Sequence, residues 1–214
     1  MNSVYSKDNP SADLSSFQAD RTDEQLLLEY RETGMEAVFG ELVHRYEREL
    51  FSYLRRYLGN AEMAEDAFQA TFLQLHLKCD QFDEGRRLRP WLYMIATNKA
   101  IDLQRRNKRH KAISLNTARS DEQDTGRMVD LIPSAENNPH AELERVEGGE
   151  WITCQLDELP EHLRLVVNLV YYQGLKYREA AEVLSIPVGT IKSRLHAAIT
   201  KLTNAWESSQ SVGE

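Results

Sequence analysis

The stretch from Gly174 to Ile199 constrains this chain more than any other, because it reads as two helices joined by a very short turn. The first is expected from about Tyr177 to Leu184, with the small Ala180 and Ala181 where another helix must pass closely. Ser185-Ile186-Pro187 breaks the pattern, and proline suits the first turn of a new helix, where its missing N–H costs nothing. The second helix sets Val188, Ile191, Leu195, Ala198, Ile199 and Leu202 on an apolar face at three- and four-residue spacing. Thr190, Lys192, Ser193, Arg194 and His196 fall on the other face. Cations for phosphates, with hydroxyls and forked donors for base edges, are the chemistry of a helix laid in a major groove. An ordinary helical hairpin with a solvated basic face is the competing description. The short turn and the small residues at the crossing favour a DNA-reading helix-turn-helix.

Charge is at odds with that reading. The chain of 214 residues carries a formal net charge of −8, which duplex DNA repels, so the distribution of charge has to resolve the conflict. Apolar residues at 41% support one or two real cores. Cys79 and Cys154 stand apart rather than in a CxxC or Cys/His cluster, which argues against a structural zinc and fits a reducing cytoplasm. No apolar run approaches membrane-spanning length, and the N-terminus lacks the apolar core of a signal peptide.

Residues 1–21 are polar and aperiodic, the pattern of a disordered leader. Thr22-Asp23-Glu24-Gln25 is a capping box opening a helix through Leu26, Leu27 and Tyr30, which Gly34 ends. From Met35 a longer helix sets Phe39, Leu42, Val43, Tyr46, Leu50, Leu54 and Tyr57 on one face. Gly59-Asn60 turns the chain, with Asn60 as the next N-cap. The helix that follows turns Ala64, Ala67, Phe68, Phe72 and Leu75 inward and Glu62, Glu65, Asp66 and Gln69 outward. Another begins near Pro90 and buries Trp91, Leu92, Ile95, Ala96 and Leu103. No β-branched alternating run appears, so an all-α fold is expected.

Positive charge gathers between Arg86 and Lys111, where nine Lys and Arg side chains face the single acid Asp102. Such a block points to a polyanion. Trp91 is assigned to the core; Tyr93 is either core or a platform for an unstacked base. Residues 112–149 are loop-like and acidic; within 121–147, Asp121, Glu122, Asp124, Asp130, Glu136, Glu142, Glu144 and Glu147 stand against Arg127 and Arg145. A soluble tether is the plain reading and a nucleic-acid mimic the sharper one. Helix resumes from Trp151 to Leu159, and His162 to Tyr172 supports the helix-turn-helix.

Three stretches then carry a resemblance. Ala64-Glu-Asp-Ala-Phe-Gln-Ala-Thr-Phe72, the run from Trp91 to Arg106, and Ile186-Pro-Val-Gly-Thr-Ile-Lys-Ser-Arg-Leu195 resemble, in order, the core-binding, −10 and −35 helices of bacterial RNA polymerase sigma factors. The type resembled is the extracytoplasmic-function branch of the sigma-70 family. The resemblance implies two small helical domains, a region 2-like bundle over 22–111 and a region 4-like helix-turn-helix over 150–207. Between them runs the acidic linker of 112–149, and residues 208–214 form a tail. It implies core RNA polymerase as partner, through its β′ coiled coil and β flap, and promoter DNA as duplex at −35 and single strand at −10. Glu65, Asp66, Gln69 and Phe72 fall at the family's docking positions for the β′ coiled coil. Tyr93, Asn98, Lys99, Asp102, Arg105 and Arg106 fall at the −10 surface, Asn98 where a flipped base is contacted. Asp102 serves either a base or the orientation of a neighbouring arginine. Thr190, Lys192, Ser193, Arg194 and His196 fall at the −35 surface. Ala197 stands where relatives often carry arginine, and Leu88 where an aromatic is common. The resemblance also implies a tether directed toward the polymerase cleft. It calls for no cofactor, metal or membrane, and leaves open whether an anti-sigma partner exists.

Two other classes compete. An autonomous helix-turn-helix regulator would need a ligand pocket and a dimer, for which neither the basic segment nor the acidic tether calls. An enzyme would need His44 or His76 to join Glu41, Glu65 or Asp66 in a ligand or catalytic set, and no second pair completes one.

Overall fold

Thr22 opens the first helix as its capping box predicts. Its hydroxyl accepts from the Gln25 amide at 3.2 Å, while the Gln25 side chain accepts from the Thr22 amide at 2.9 Å. The computed structural model describes residues 21–115 and 151–211. The readings placed on the leader, on the acidic tether beyond residue 115 and on residues 212–214 lie outside these. Helix α1 (Asp23–Thr33) ends at Gly34, whose φ of 65° lets its N–H reach the Tyr30 carbonyl. Helix α2 (Glu36–Leu58) ends the same way at Gly59, and Asn60 caps α3 (Ala61–Lys78) by accepting from the Met63 amide at 2.9 Å. Thr22→Ala is expected to cost the bundle about 1 kcal/mol. A thermal scan by circular dichroism should show its melting point lowered by about 4–8 °C.

A short 3₁₀ turn (Cys79–Gln81) leads to α4 (Leu88–Leu115), which is the long basic helix. Its helical backbone runs to Leu115, past the boundary expected near Ala112. Helices α1–α4 close around Leu26, Leu42, Leu50, Leu54, Leu75, Leu88 and Leu92, with Tyr53 and Tyr93 fully buried among them. The predicted stripe on α2 is present; Val38 and Tyr53 join it in the core. Leu88 fills the core as expected, and Trp91 packs on Phe82 with ring centroids 5.2 Å apart.

The second bundle starts with α5 (residues 151–158), whose Trp151 meets Trp206 edge to face at 5.0 Å. Helix α6 (Glu161–Val167) does not run on as α-helix to Tyr172. It widens into a π turn (Asn168–Tyr172), in which the Gln173 amide donates to the Asn168 carbonyl five residues back. Helix α7 (Tyr177–Leu184) has the predicted bounds and stops at Ser185, held in the left-handed region at φ 53°. The Ile186 amide closes the cap onto the Ala181 carbonyl at 3.0 Å. Helix α8 (Val188–Ser211) follows at once. Pro187 stands just before it, accepting from the Ile191 amide at 3.2 Å, so its lost N–H is one no helix would use. Ile191, Leu195 and Ala198 are buried, whereas Ile199, expected on the same face, is 45% exposed because it sits at the edge of the stripe. Among the described residues there is no strand, and the all-α expectation holds. The bundles dock, with α7 lying against α4 and the π turn against α2.

Candidate nucleic-acid interface

Between α3 and α4 lies a cavity of about 430 Å³. Asn98, Lys99 and Asp102 line it from α4, Gln74 and Lys78 from α3, and Arg86 from the approach to α4. Asn98 is exposed, and its amide can donate to and accept from a base edge. Lys99 is half-buried and donates to the Gln74 side chain at 2.9 Å, which fixes its ammonium over the cavity. Asp102 is exposed and forms no ion pair among the described residues. Arg105 and Arg106 are exposed one to two turns further along α4. Gln74 and Lys78 were missed by sequence reasoning; a four-residue pair of polar side chains beside the α3 core face was the available signal.

Tyr93 requires a correction. Its ring is fully buried, 5.2 Å from Tyr53, and its hydroxyl donates to the Gln173 side chain at 2.7 Å. A base cannot stack on it in this arrangement. Burial pushes both phenols well above their ordinary pKa. Beneath them, Thr97 donates to the Tyr93 carbonyl at 2.7 Å, so its one proton is used and Tyr53 must donate to it.

The basic segment is also less free than its sequence suggests. Arg89 makes a two-pronged contact with Glu49 at 3.3 and 3.1 Å, and Arg86 is held by Glu182. Arg87 lies 3.7 Å from Glu179, and Lys108 lies 3.5 Å from Glu161. Glu161 also accepts from the Tyr57 hydroxyl at 2.6 Å, which holds its carboxyl below the usual range.

On α3, Glu62, Glu65, Asp66 and Gln69 face solvent, with Gln69 donating to Glu65 at 2.8 Å. Phase along the helix continues this face through Leu73 and Leu77, which are 59% and 65% exposed. These leucines escaped sequence reasoning, although their four-residue spacing after Gln69 was legible. Phe72, assigned to the docking face, is a correction: it is 6% exposed and packs against Phe68 and Phe39 beneath that face.

On α8, Lys192, Ser193 and His196 are exposed, and Thr190, Arg194 and Ala197 are half-buried. Ser193 donates to the Thr190 carbonyl at 3.1 Å, so its hydroxyl oxygen faces outward as an acceptor. The side chains an enzyme would need do not assemble. His44 turns to Glu47 at 3.7 Å, His76 meets the Tyr30 hydroxyl at 2.6 Å, and Glu41 holds Arg45. Among the described residues no three His, Cys, Asp or Glu side chains converge as metal ligands. No helix among them is long and apolar enough to cross a membrane.

Residues 42–110 match the family described as Sigma-70 region 2, and residues 149–202 match Sigma-70, region 4. The chain is 32% identical over 163 residues to the ECF RNA polymerase sigma factor SigW of Bacillus subtilis, covering 76% of this chain and 86% of that one. It belongs to the extracytoplasmic-function (ECF) RNA polymerase sigma factors. The ECF sigma-E factor of Escherichia coli is 28% identical over 182 residues, covering 85% of this sigma factor and 93% of that one. Among solved structures, CnrH in complex with the cytosolic domain of CnrY matches with a TM-score of 0.61 at 25% identity, over 87% of this chain and 97% of that one. The sigma factor RpoE of Bartonella quintana, solved with the anti-sigma factor NepR, matches in fold with a TM-score of 0.59 at 22% identity, over 79% and 96% of the two chains. The cavity and the α3 face lie within the region 2 match, and α8 through Leu202 lies within the region 4 match.

Proposed function

We propose that this alternative sigma factor works with core RNA polymerase by dividing promoter recognition between its two bundles. The face of α3 carrying Glu65, Asp66 and Gln69, extended by Leu73 and Leu77, docks on the polymerase. Helix α8 enters the major groove at −35 through Lys192, Ser193, Arg194 and His196, with Thr190 at its start. The cavity between α3 and α4 takes an unpaired base of the −10 element. There Asn98 reads the base edge, while Lys99 and the exposed Arg105 and Arg106 hold the strand. The polymerase performs the chemistry, and this chain supplies recognition and strand capture in the cytoplasm without cofactor or metal. An anti-sigma partner belongs to the same proposal, in keeping with the partner-bound relative CnrH.

The observation that carries this reading is the cavity itself, where an amide able to pair with a base edge sits beside the Lys99 ammonium. Run-off transcription with core polymerase, with and without this chain, on genomic fragments tests it. Promoter-specific transcripts are expected only when the chain is present. Asn98→Ala should then reduce open-complex formation by about tenfold, the loss of one base-edge contact of about 1–3 kcal/mol, while polymerase binding stays intact. Equal transcription from both proteins, or none from either, is the contrary result.

A further inference from the structure

We infer that the cavity where the π turn rests against α2 binds a small anion of linked phosphates, such as a nucleoside triphosphate, between Arg48 and Arg56. It shares no lining residue with the cavity between α3 and α4 and none with α8, so the inference stands apart from the promoter assignments. The cavity holds about 480 Å³, the range of small-molecule sites rather than of a single ion. Arg48, Ser52 and Arg56 line it at four-residue spacing, which sets them in one row along α2. From Arg48 to Arg56 the row is about 12 Å long, a span that suits phosphates in a chain better than one alone.

The polar groups left free in this cavity can all donate. Arg48 is exposed and Arg56 half-buried, and neither has a carboxylate partner among the described residues. Arg56 instead lies over the Tyr172 ring at 4.0 Å, which leaves its N–H groups to bind an anion. Burial lowers the pKa of this guanidinium. Arg45 and Arg89 are partly buried too, but the carboxylates that hold them outweigh burial and raise theirs. Ser52 is half-buried and forms no side-chain hydrogen bond among the described residues. Ser193, Thr200, Ser208 and Ser209 of α8 each spend their proton on a carbonyl of their own helix, whereas that of Ser52 is available. Gln173, just past the π turn, is 8% exposed and its side-chain oxygen accepts from Tyr93, so the NH₂ end is left for the cavity. Glu49 is the one acid in the lining, and Arg89 engages both of its oxygens. Two guanidinia, a hydroxyl and an amide NH₂, with no free carboxylate to answer them, are the donor set of a phosphate site. The net charge of −8 makes anions poor ligands for the chain in general, so binding here needs this local set.

Isothermal titration calorimetry of the full chain with sodium tripolyphosphate, ATP and orthophosphate tests the inference. Expected are saturable binding of tripolyphosphate and ATP, and binding of orthophosphate weaker by about tenfold or more, because it loses one arginine. Arg48→Gln/Arg56→Gln should weaken tripolyphosphate binding by about 10- to 100-fold, the loss of two charge-assisted contacts of which that of Arg48 is screened by solvent. Arg178→Gln/Lys201→Gln removes the same charge from exposed positions outside the cavity and should leave the affinity unchanged. Ser52→Asp tests the site without deleting a cation. Its carboxylate, one turn from each arginine, supplies the anion from within, so phosphate binding should be lost while the melting point by circular dichroism holds or rises. ATP binding tighter than tripolyphosphate assigns part of the site to the nucleoside. Equal affinities assign it to the phosphates alone, and both results support a linked-phosphate site. The inference is overturned by absence of saturable binding, by binding that Arg48→Gln/Arg56→Gln retains, or by dependence on these arginines shown only by a single-stranded oligonucleotide.

Discussion

Replacing Glu65 and Asp66 together with lysine is expected to abolish association with core RNA polymerase without unfolding the region 2 bundle. Both side chains are exposed on α3, and the core beneath is made by Ala64, Ala67, Phe72 and Leu75. The change removes the Gln69–Glu65 hydrogen bond, an exposed pair at four-residue spacing worth about 0.2–0.5 kcal/mol. Stability should therefore shift by no more than about 0.5 kcal/mol. Association has more to lose. Close charge pairs in protein interfaces couple by about 1.5–7 kcal/mol, and reversing two of them should weaken binding at least a hundredfold. Co-purification with tagged core polymerase, beside a thermal scan, separates the two effects. Phe72→Ala supplies the contrast: as a buried ring it should cost about 3–5 kcal/mol of stability. Normal co-purification of the double lysine variant would place the docking surface elsewhere.

What can be read from the amino-acid sequence is mostly local. Thr22, Gly34, Gly59 and Asn60 mark helix ends because each cap is decided within four residues. The turn at Ser185 to Pro187 sets the bounds of α7 and α8 for the same reason. Periodicity goes further and names the buried faces, but a period fixes a direction on a helix rather than what lies opposite it. Tyr93 shows the limit: its spacing fits either core or stacking, and the deciding partner, Gln173, is 80 residues away. Phe72 falls within a docking motif yet points beneath the docking face, where aromatic neighbours from α2 and α3 hold it.

The charge conflict is legible only by half. A basic segment and a net negative chain are plain in the sequence, but not that acids of the second bundle come to rest on the first. Pairing across such separations depends on how the bundles dock, and no local rule encodes it. With the bundles docked the conflict eases, because several cations of the basic segment are screened by carboxylates of the same molecule. Among the described residues the cations of α8 have no such carboxylate partner.

That difference sets the second large effect. Lys192→Ala/Arg194→Ala is expected to weaken binding of the polymerase holoenzyme to a −35 duplex by about 10- to 100-fold, the sum of one phosphate contact and one base-edge or phosphate contact. Lys192 is exposed and Arg194 half-buried beside it, while the packing of α8 depends on Ile191, Leu195 and Ala198, which the change leaves alone. Alanine is at least as good a helix former as either residue, so the helix itself should not weaken. The salt dependence distinguishes lost recognition from lost folding. Each phosphate contact removed should flatten the slope of log affinity against log salt by about 0.9, so the slope should fall by about one to two. Ala197 gives the converse test. It lies on the same helix at a half-buried position, and Ala197→Arg should restore a cation there, steepening the slope by about one and raising affinity a few-fold. A double alanine variant with unchanged slope and affinity would mean that α8 does not lie against the phosphates, and the −35 assignment would have to move to another face of the second bundle.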